Sequence, residues 1–308
     1  MATKTNGFPC SSPPPLAGFS RSPLPIPSVG FLRLLFFRPQ RPANIRLCAG
    51  KLDNQKYQVG VVINNIPTED QVISHSLTTG GAYGFEGATT SLTNELMPSS
   101  KRVTLVRHGL SSWNEQSRVQ GSSNLSILTD TGIKQAEKCR NSLVNMTFDV
   151  CFSSPISRAK STAEILWHGR QEPLIFLDSL KEAHLFFLEG MTNADAKKKY
   201  PELYTSWRED PANFHVDGIY PIRKLWGTAR EAWKEILLTP GENFLVVTHK
   251  SILRALICTA LGLSPERFRA IDVNNGGISI FTFNKQGEAV LQCLNATAHM
   301  YSDHIYHF

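Results

Sequence analysis

Two histidines and two arginines in this chain stand where a polypeptide can gather groups around a phosphate. Arg107-His108-Gly109 closes the apolar run Val103-Thr104-Leu105-Val106, and His249 closes the run Phe244-Leu245-Val246-Val247-Thr248. If both runs are neighbouring buried strands, the imidazoles and Arg107 meet at the carboxyl edge of a sheet, where open α/β sheets place their ligands. Ser111-Ser112-Trp113-Asn114 follows closely and could add hydroxyl and amide donors. Arg158 follows Ser153-Ser154-Pro155. Ser154 reads as a helix N-cap and Pro155 as the first helical residue, which puts Arg158 in a first turn, unfavourable for a cation unless an anion lies beside it. Taken singly, each residue has a plainer explanation: a hydrogen-bonded core histidine, or an arginine that is either solvated or paired with Glu164 or another surface acid. It is their joint placement at strand-to-helix junctions that points to a site.

The elements that must position these groups can be drawn from periodicity. Apolar runs of strand length lie at 102–107, 148–152, 174–177, 243–248, 278–283 and 289–294. Helical spacing separates them: Ile133, Ala136, Cys139 and Leu143 mark one face, and Leu225, Ala229, Trp233, Ile236 and Leu237 another. A third helix after His249 carries Ile252, Leu253, Leu256, Ile257, Ala260 and Leu261. This alternation predicts an α/β domain from Lys101 onward, residues 101–308.

The N-terminus has a different character. Before Asp53 there is no acidic residue, while nine of the chain's 18 prolines fall there among serines and arginines. Residues 1–48 read as a chloroplast transit peptide, with Ile45-Arg46-Leu47-Cys48-Ala49 similar to a stromal processing site, so the expected location is the chloroplast stroma. Discarding them removes six basic residues and no acid, leaving 26 of each sign, so the net charge of +6 and pI near 9.0 are no argument for nucleic-acid binding. Phe31–Phe37 is too short for a membrane span, which needs about 20 apolar residues. Residues 49–100, rich in Gly, Thr, Ser and Asn, read as linker or surface extension, with Tyr57–Ile63 hinting at a strand. The six cysteines lack CxxC spacing; Cys139, Cys151 and Cys258 are expected as small buried groups, with neither a disulfide nor a zinc site. His299, His304 and His307 read as tail, and Lys197-Lys198-Lys199 as a solvated helix face.

In order and spacing the motifs resemble the histidine phosphatase superfamily, which includes cofactor-dependent phosphoglycerate mutase, over about residues 101–295. The likeness is carried by Arg107-His108-Gly109 through Trp113-Asn114, Gln120-Gly121, Leu128-Thr129 with Gly132 and Gln135-Ala136, Ser154-Pro155 with Arg158-Ala159 and Thr162-Ala163, Leu180, Glu182, Glu189-Gly190 and Val246–His249. Ser153–Trp167, Leu180–Asn193 and Thr248–Gly262 are similar to a plastid branch that removes phosphate from an inhibitor of Rubisco. The resemblance implies a three-layer α/β/α sandwich with a mostly parallel central sheet, phosphoglycerate mutase-like. It makes His108 the nucleophile that becomes a phosphohistidine, Glu182 the proton donor, and Arg107, Arg158 and His249 the ligands of the phosphoryl oxygens. Asn114 becomes a further phosphate contact, and Gln120-Gly121 part of the pocket wall.

Those roles suit the chemistry. A neutral imidazole can attack phosphorus in line, and two guanidinium groups with a second, preferably protonated, imidazole can neutralise the equatorial oxygens, so neither a metal nor another cofactor is called for. The alkoxide leaving group needs an acid, which Glu182 would supply. The implied substrate is a small phosphate ester. Some positions depart from the family pattern: Leu110 where Glu or Gln is usual, Phe186 where Gly is expected, Lys250 where Gly usually follows the histidine, and Tyr220-Pro221 for a Glu-Ser pair. Lys250 and Arg223 are candidates, from position alone, to meet a substrate carboxylate, with solvated cations as the alternative. Two other functions compete with a phosphatase: a phosphoglycerate-mutase-type transferase, and a non-catalytic relative that only binds a phosphorylated ligand.

Overall fold

The two apolar runs that end in histidines lie side by side. In the computed structural model, which describes residues 91–301, β1 (Lys101–Arg107) pairs in parallel with β4 (Asn243–Thr248), and Arg107 stands opposite Thr248. The register carries no offset, so His108 and His249 leave the same edge of the sheet together. On the other side of β4 runs β2 (Val150–Ser153), also parallel, with Ser153 opposite Val247. Three chain segments therefore emerge at one carboxyl edge.

β3 (Leu174–Phe176), β5 (Ile278–Phe283) and β6 (Ala289–Ala296) complete a six-stranded sheet in the order β3-β2-β4-β1-β5-β6. β5 is antiparallel to β1 and β6 antiparallel to β5, so only β5 opposes the common direction. The inner strands read as near-continuous apolar runs because both faces are covered. Alternate residues of β4 separate onto those faces. Phe244 and Val246 pack with Phe152, Ile222, Trp233 and Ile252 under α6 (Pro221–Leu238) and α7 (Lys250–Ala260). Leu245 and Val247 pack with Val106, Cys151, Ala136, Cys139, Ala163 and Leu166 under α2 (Asp130–Ser142) and α3 (Ser157–Trp167). The result is a three-layer α/β/α sandwich, the architecture that the resemblance implies. A smaller cluster of Val119, Leu185, Leu188, Ala196, Phe214 and Val216 supports the crossover between β3 and α6, which contains α4 (Asn193–Lys199) and α5 (Pro201–Glu209).

The six strands fall within two residues of their expected positions, and the faces read for α6 and α7 are buried, apart from partly buried Leu261. Four details differ. Ile133 lies on the open side of α2, 39% exposed, because Gly132 takes the inward position. The packed body starts before Lys101: Met97 and Leu92 enter the core, and their N–H groups donate to Lys285 and Gly287 in the β5–β6 turn. His299 is no tail residue. It is buried in the short helix α8 (Ala298–Tyr301) with Nε2 3.1 Å from the Gly276 carbonyl. Finally, α3 begins at Ser157, two residues later than Pro155 predicted, and Asn124 supplies the capping oxygen to Ser157 N at 2.7 Å. His304, His307, the Tyr57–Ile63 run and the transit-like segment lie outside the described residues.

Candidate active site

β1 and β4 bring the two imidazoles to a centroid separation of 5.2 Å at an interplanar angle of 57°. His108 Nδ1 lies 2.7 Å from the Gly109 carbonyl oxygen. An oxygen with only lone pairs demands a proton on that nitrogen, so Nε2 of the neutral ring keeps its lone pair. Burial first, and then the charges of Arg158 and Arg107, hold the His108 pKa well below the ordinary imidazole value. The ring is thus uncharged and nucleophilic at neutral pH.

Ser154, expected to cap α3, accepts from Ile156 N at 3.3 Å, just ahead of the helix, and its hydroxyl lies 2.8 Å from His249 Nε2. That hydroxyl hydrogen has no other acceptor among the described residues, so it serves Nε2 and leaves the proton of His249 on Nδ1. Nδ1 is buried without a partner. Burial, Arg158, His108 and Arg107 lower the His249 pKa as well, so the protein by itself favours the neutral ring and not the protonated one expected. Only an added anion could tip it the other way.

Arg107 and Arg158 are both buried, at 7% and 1% exposure. Neither forms an ion pair among the described residues. Arg107 donates to the Val273 carbonyl at 3.0 Å, and Arg158 to the Ser123 and Gly121 carbonyls at 2.8 Å each. The Nε atom of each is buried and unpartnered. Burial lowers both pKa values to about 10, with Glu182 opposing the shift, so both remain charged at neutral pH. Two buried cations without a carboxylate against them make a strong anion-binding field.

Glu182 reaches this cluster from the segment after β3. The Thr248 hydroxyl donates to Leu180 O at 2.6 Å, fixing the segment to the end of β4. The Glu182 carboxylate then accepts from Ser251 N in the first turn of α7 and from Ala183 N, both at 2.8 Å. Asn114 joins through its side-chain oxygen, which accepts from the Ser111 hydroxyl at 3.0 Å, so its amide nitrogen is left to donate elsewhere. Gln120 Oε1 lies 2.8 Å from the same hydroxyl, whose single proton the two amide oxygens share. Gly121, at φ +49, forms the turn whose carbonyl holds Arg158.

The two proposed carboxylate ligands are placed differently. Lys250 opens α7 beside His249, but its Nζ is 2.8 Å from Asp272 Oδ1, a carboxylate shared with Arg254 at 2.9 Å. Arg223 is exposed and binds Glu266 and Asn213, none of which touches the histidine–arginine cluster.

Among the supporting residues, Asn275 escapes the sequence reading, and Thr162 and Glu189 stand in it only as motif residues without a role. Asn275 Nδ2 donates to the carbonyls of His108 at 2.9 Å and Gly109 at 3.1 Å, from 167 residues away, while Gly276 N donates to Arg107 O. Its Asn-Asn-Gly-Gly setting reads only as a turn. Thr162 accepts from Gly109 N at 3.2 Å and donates to Arg158 O at 2.7 Å, one hydroxyl joining two site segments. Glu189 Oε1 accepts from Ser122 N and Leu185 N, each at 2.8 Å, and locks the Gly121 turn against the crossover. The Glu189-Gly190 pair was visible in the sequence as a motif, without a role.

A family model, Histidine phosphatase superfamily (branch 1), matches residues 103–297. The chain is 45% identical over 199 residues to a protein of Arabidopsis thaliana named "Probable 2-carboxy-D-arabinitol-1-phosphatase", a match spanning 64% of this chain and 41% of that one. It is 42% identical over 201 residues to the 2-carboxy-D-arabinitol-1-phosphatase of Triticum aestivum, spanning 65% and 41%. The chain therefore covers less than half the length of either relative. Among solved structures, Bacillus stearothermophilus YhfR superposes with a TM-score of 0.62 at 24% identity, covering 65% of this chain and 99% of that one, a likeness of fold. With the whole of β1 through β6 inside the matched region apart from two residues at its start, the chain belongs to the histidine phosphatase superfamily.

Proposed function

We propose that this protein hydrolyses the phosphate monoester of a sugar or sugar acid, with 2-carboxy-D-arabinitol 1-phosphate as the leading candidate, through a phosphohistidine on His108. The observation that carries the reading is the pair of buried guanidinium groups without a carboxylate partner, flanking an imidazole whose Nε2 lone pair is free. The phosphoryl oxygens lie against Arg107, Arg158, Asn114 and the Nδ1 proton of His249. His108 Nε2 attacks phosphorus as the P–O bond breaks, and Glu182 protonates the departing alkoxide oxygen. Glu182 then takes a proton from water, whose oxygen attacks phosphorus and breaks the N–P bond. Inorganic phosphate leaves and His108 returns to its starting form. The substrate assignment rests on the two relatives that are 42–45% identical to the chain.

The test is to incubate the full chain with the sugar-acid phosphate, phosphoserine, 3-phosphoglycerate and a bisphosphorylated primer. Free phosphate released fastest from the sugar-acid ester, with label trapped on His108 after rapid quenching, is the expected result. Isomerisation instead of hydrolysis would establish the transferase, and saturable binding without turnover the non-catalytic relative. We further propose that residues 1–48 direct the protein to the chloroplast stroma, on the strength of their acid-free, arginine- and serine-bearing composition. A reporter fused behind them should enter plastids, and one that stays in the cytosol would refute this.

A further inference from the structure

The segment between Glu182 and Glu189 contains a non-glycine residue with positive φ. Phe186 sits at φ +53, in the left-handed region where a side chain is strained and glycine is not. Its ring lies 4.7 Å from the ring of His184 at 60°. His184 is held in turn: its Nδ1 is 2.8 Å from the Ser122 hydroxyl and 3.1 Å from Glu189 Oε1. Ser122 Oγ also donates to Glu189 Oε1 at 3.1 Å, so the proton on the imidazole belongs to Nδ1. His184 Nε2 is left with a lone pair and no partner among the described residues, on a side chain 59% exposed.

The position of this pair relative to the site follows from its neighbours. Ser122 lies between Gly121 and Ser123, whose carbonyls hold the Arg158 guanidinium. His184 lies two residues beyond Glu182, whose carboxylate is fixed at the start of α7 beside His249. The His184–Phe186 pair thus stands between the turn that holds the Arg158 guanidinium and the segment that carries Glu182.

We propose that His184 and Phe186 form the wall that recognises the organic half of the ester: His184 Nε2 accepts a hydrogen bond from a hydroxyl of a polyhydroxylated substrate, and the strained Phe186 ring holds the imidazole and limits the width of the mouth. This rests on the phosphomonoesterase reading above and specifies its substrate class as a phosphorylated polyol.

The test compares kcat/KM for a five-carbon polyol phosphate with that for an aryl phosphate in the full chain and in His184→Ala and Phe186→Gly. The wall requires that His184→Ala lower the polyol-to-aryl ratio on the order of tenfold, mainly through KM. Phe186→Gly should lower the same ratio, again mainly through KM; because the ring also packs against the cluster of Val119, Leu185 and Leu188, the ratio and not the thermal midpoint is the readout for this variant. Equal losses on both esters carried by kcat would mean that the pair only braces the Arg158 turn, and an unchanged ratio would mean that it recognises nothing; either overturns the proposal. A wild-type chain that releases phosphate from neither ester sinks the phosphomonoesterase reading instead. The wall is then judged by the rise in thermal midpoint that the polyol phosphate produces beyond inorganic phosphate, which His184→Ala abolishes if the wall stands and leaves in place if it does not.

Discussion

A guanidinium surrounded by carbonyl oxygens and apolar side chains is a liability for folding, and Arg158, at 1% exposure, illustrates it. Its charge is desolvated without a carboxylate in contact, so the folded protein tolerates it for what it can bind. Arg158→Met should raise the thermal midpoint, by roughly 2–4 °C for each kcal/mol gained. The same change should cost on the order of 100-fold in phosphate release. Calorimetry and a phosphate assay on one preparation would check both; a fall in stability would refute the idea of an uncompensated charge. The two imidazoles make a related prediction. Their folded pKa values lie well below that of an unfolded histidine, so below about pH 6.5 the unfolded chain binds protons that the folded chain refuses. Stability should therefore be fully present above that pH and decline as pH falls through it. Urea unfolding at pH 5.0 and 7.5 should show a smaller loss in His108→Gln than in the wild type, and inorganic phosphate should reduce the loss by favouring charged His249.

At the level of elements, the site depends on close backbone approaches. A Cβ on Gly132 would come 2.0 Å from Leu110 O, and one on Gly109 would come 2.3 Å from Gly132 O. These contacts press the loop after β1 onto the start of α2, where Thr129 caps Gly132 N at 3.1 Å. Gly132→Ala should cost about 1–3 kcal/mol or more, because backbone atoms and not a flexible side chain must give way. It should also lower kcat by displacing His108, and a variant of full stability and activity would show the contact to be soft. The strands, α6 and α7 were legible because burial on one or two faces imposes a simple apolar period. The start of α3 differs from the reading because the Ser154 hydroxyl, which faces His249, reaches only Ile156 N ahead of the helix, while the oxygen on Ser157 N belongs to Asn124 in a loop. Competition of that kind depends on what else comes near, which local sequence does not contain.

On the scale of the whole molecule, the packed body extends beyond the six-stranded sheet. Met97, 1% exposed, and Leu92 enter the core cluster that also contains Phe281 and Phe283 of β5, although their segment is polar enough to read as a linker. Met97→Ala should destabilise the protein by roughly 2–5 kcal/mol, measured by chemical denaturation. A change below about 0.5 kcal/mol, as expected at the surface, would show that this segment does not hold the fold. His299 makes the corresponding point at the other end. A histidine in a polar tail reads as solvated, yet α8 carries it to the Gly276 carbonyl beside the loop that braces Arg107 and His108.

The sequence by itself determined the α/β alternation, the strands to within two residues, and His108, Arg107, Arg158 and His249 as site candidates, with Glu182 added by the family resemblance. Apolar periodicity and short motifs are properties of neighbouring residues, so they survive in one dimension. Only the tertiary structure decided that His108 is held in its Nδ1–H form, that His249 leans on Ser154, that Asn275 holds the His108 carbonyl, and that Lys250 pairs with Asp272 while Arg223 binds elsewhere. The His108 contact is with its own neighbour, Gly109, and needs only the loop's conformation; the others are settled by which donor meets which acceptor across ten to more than a hundred residues of chain, and the parallel register of β1 with β4 brings the two histidine segments together.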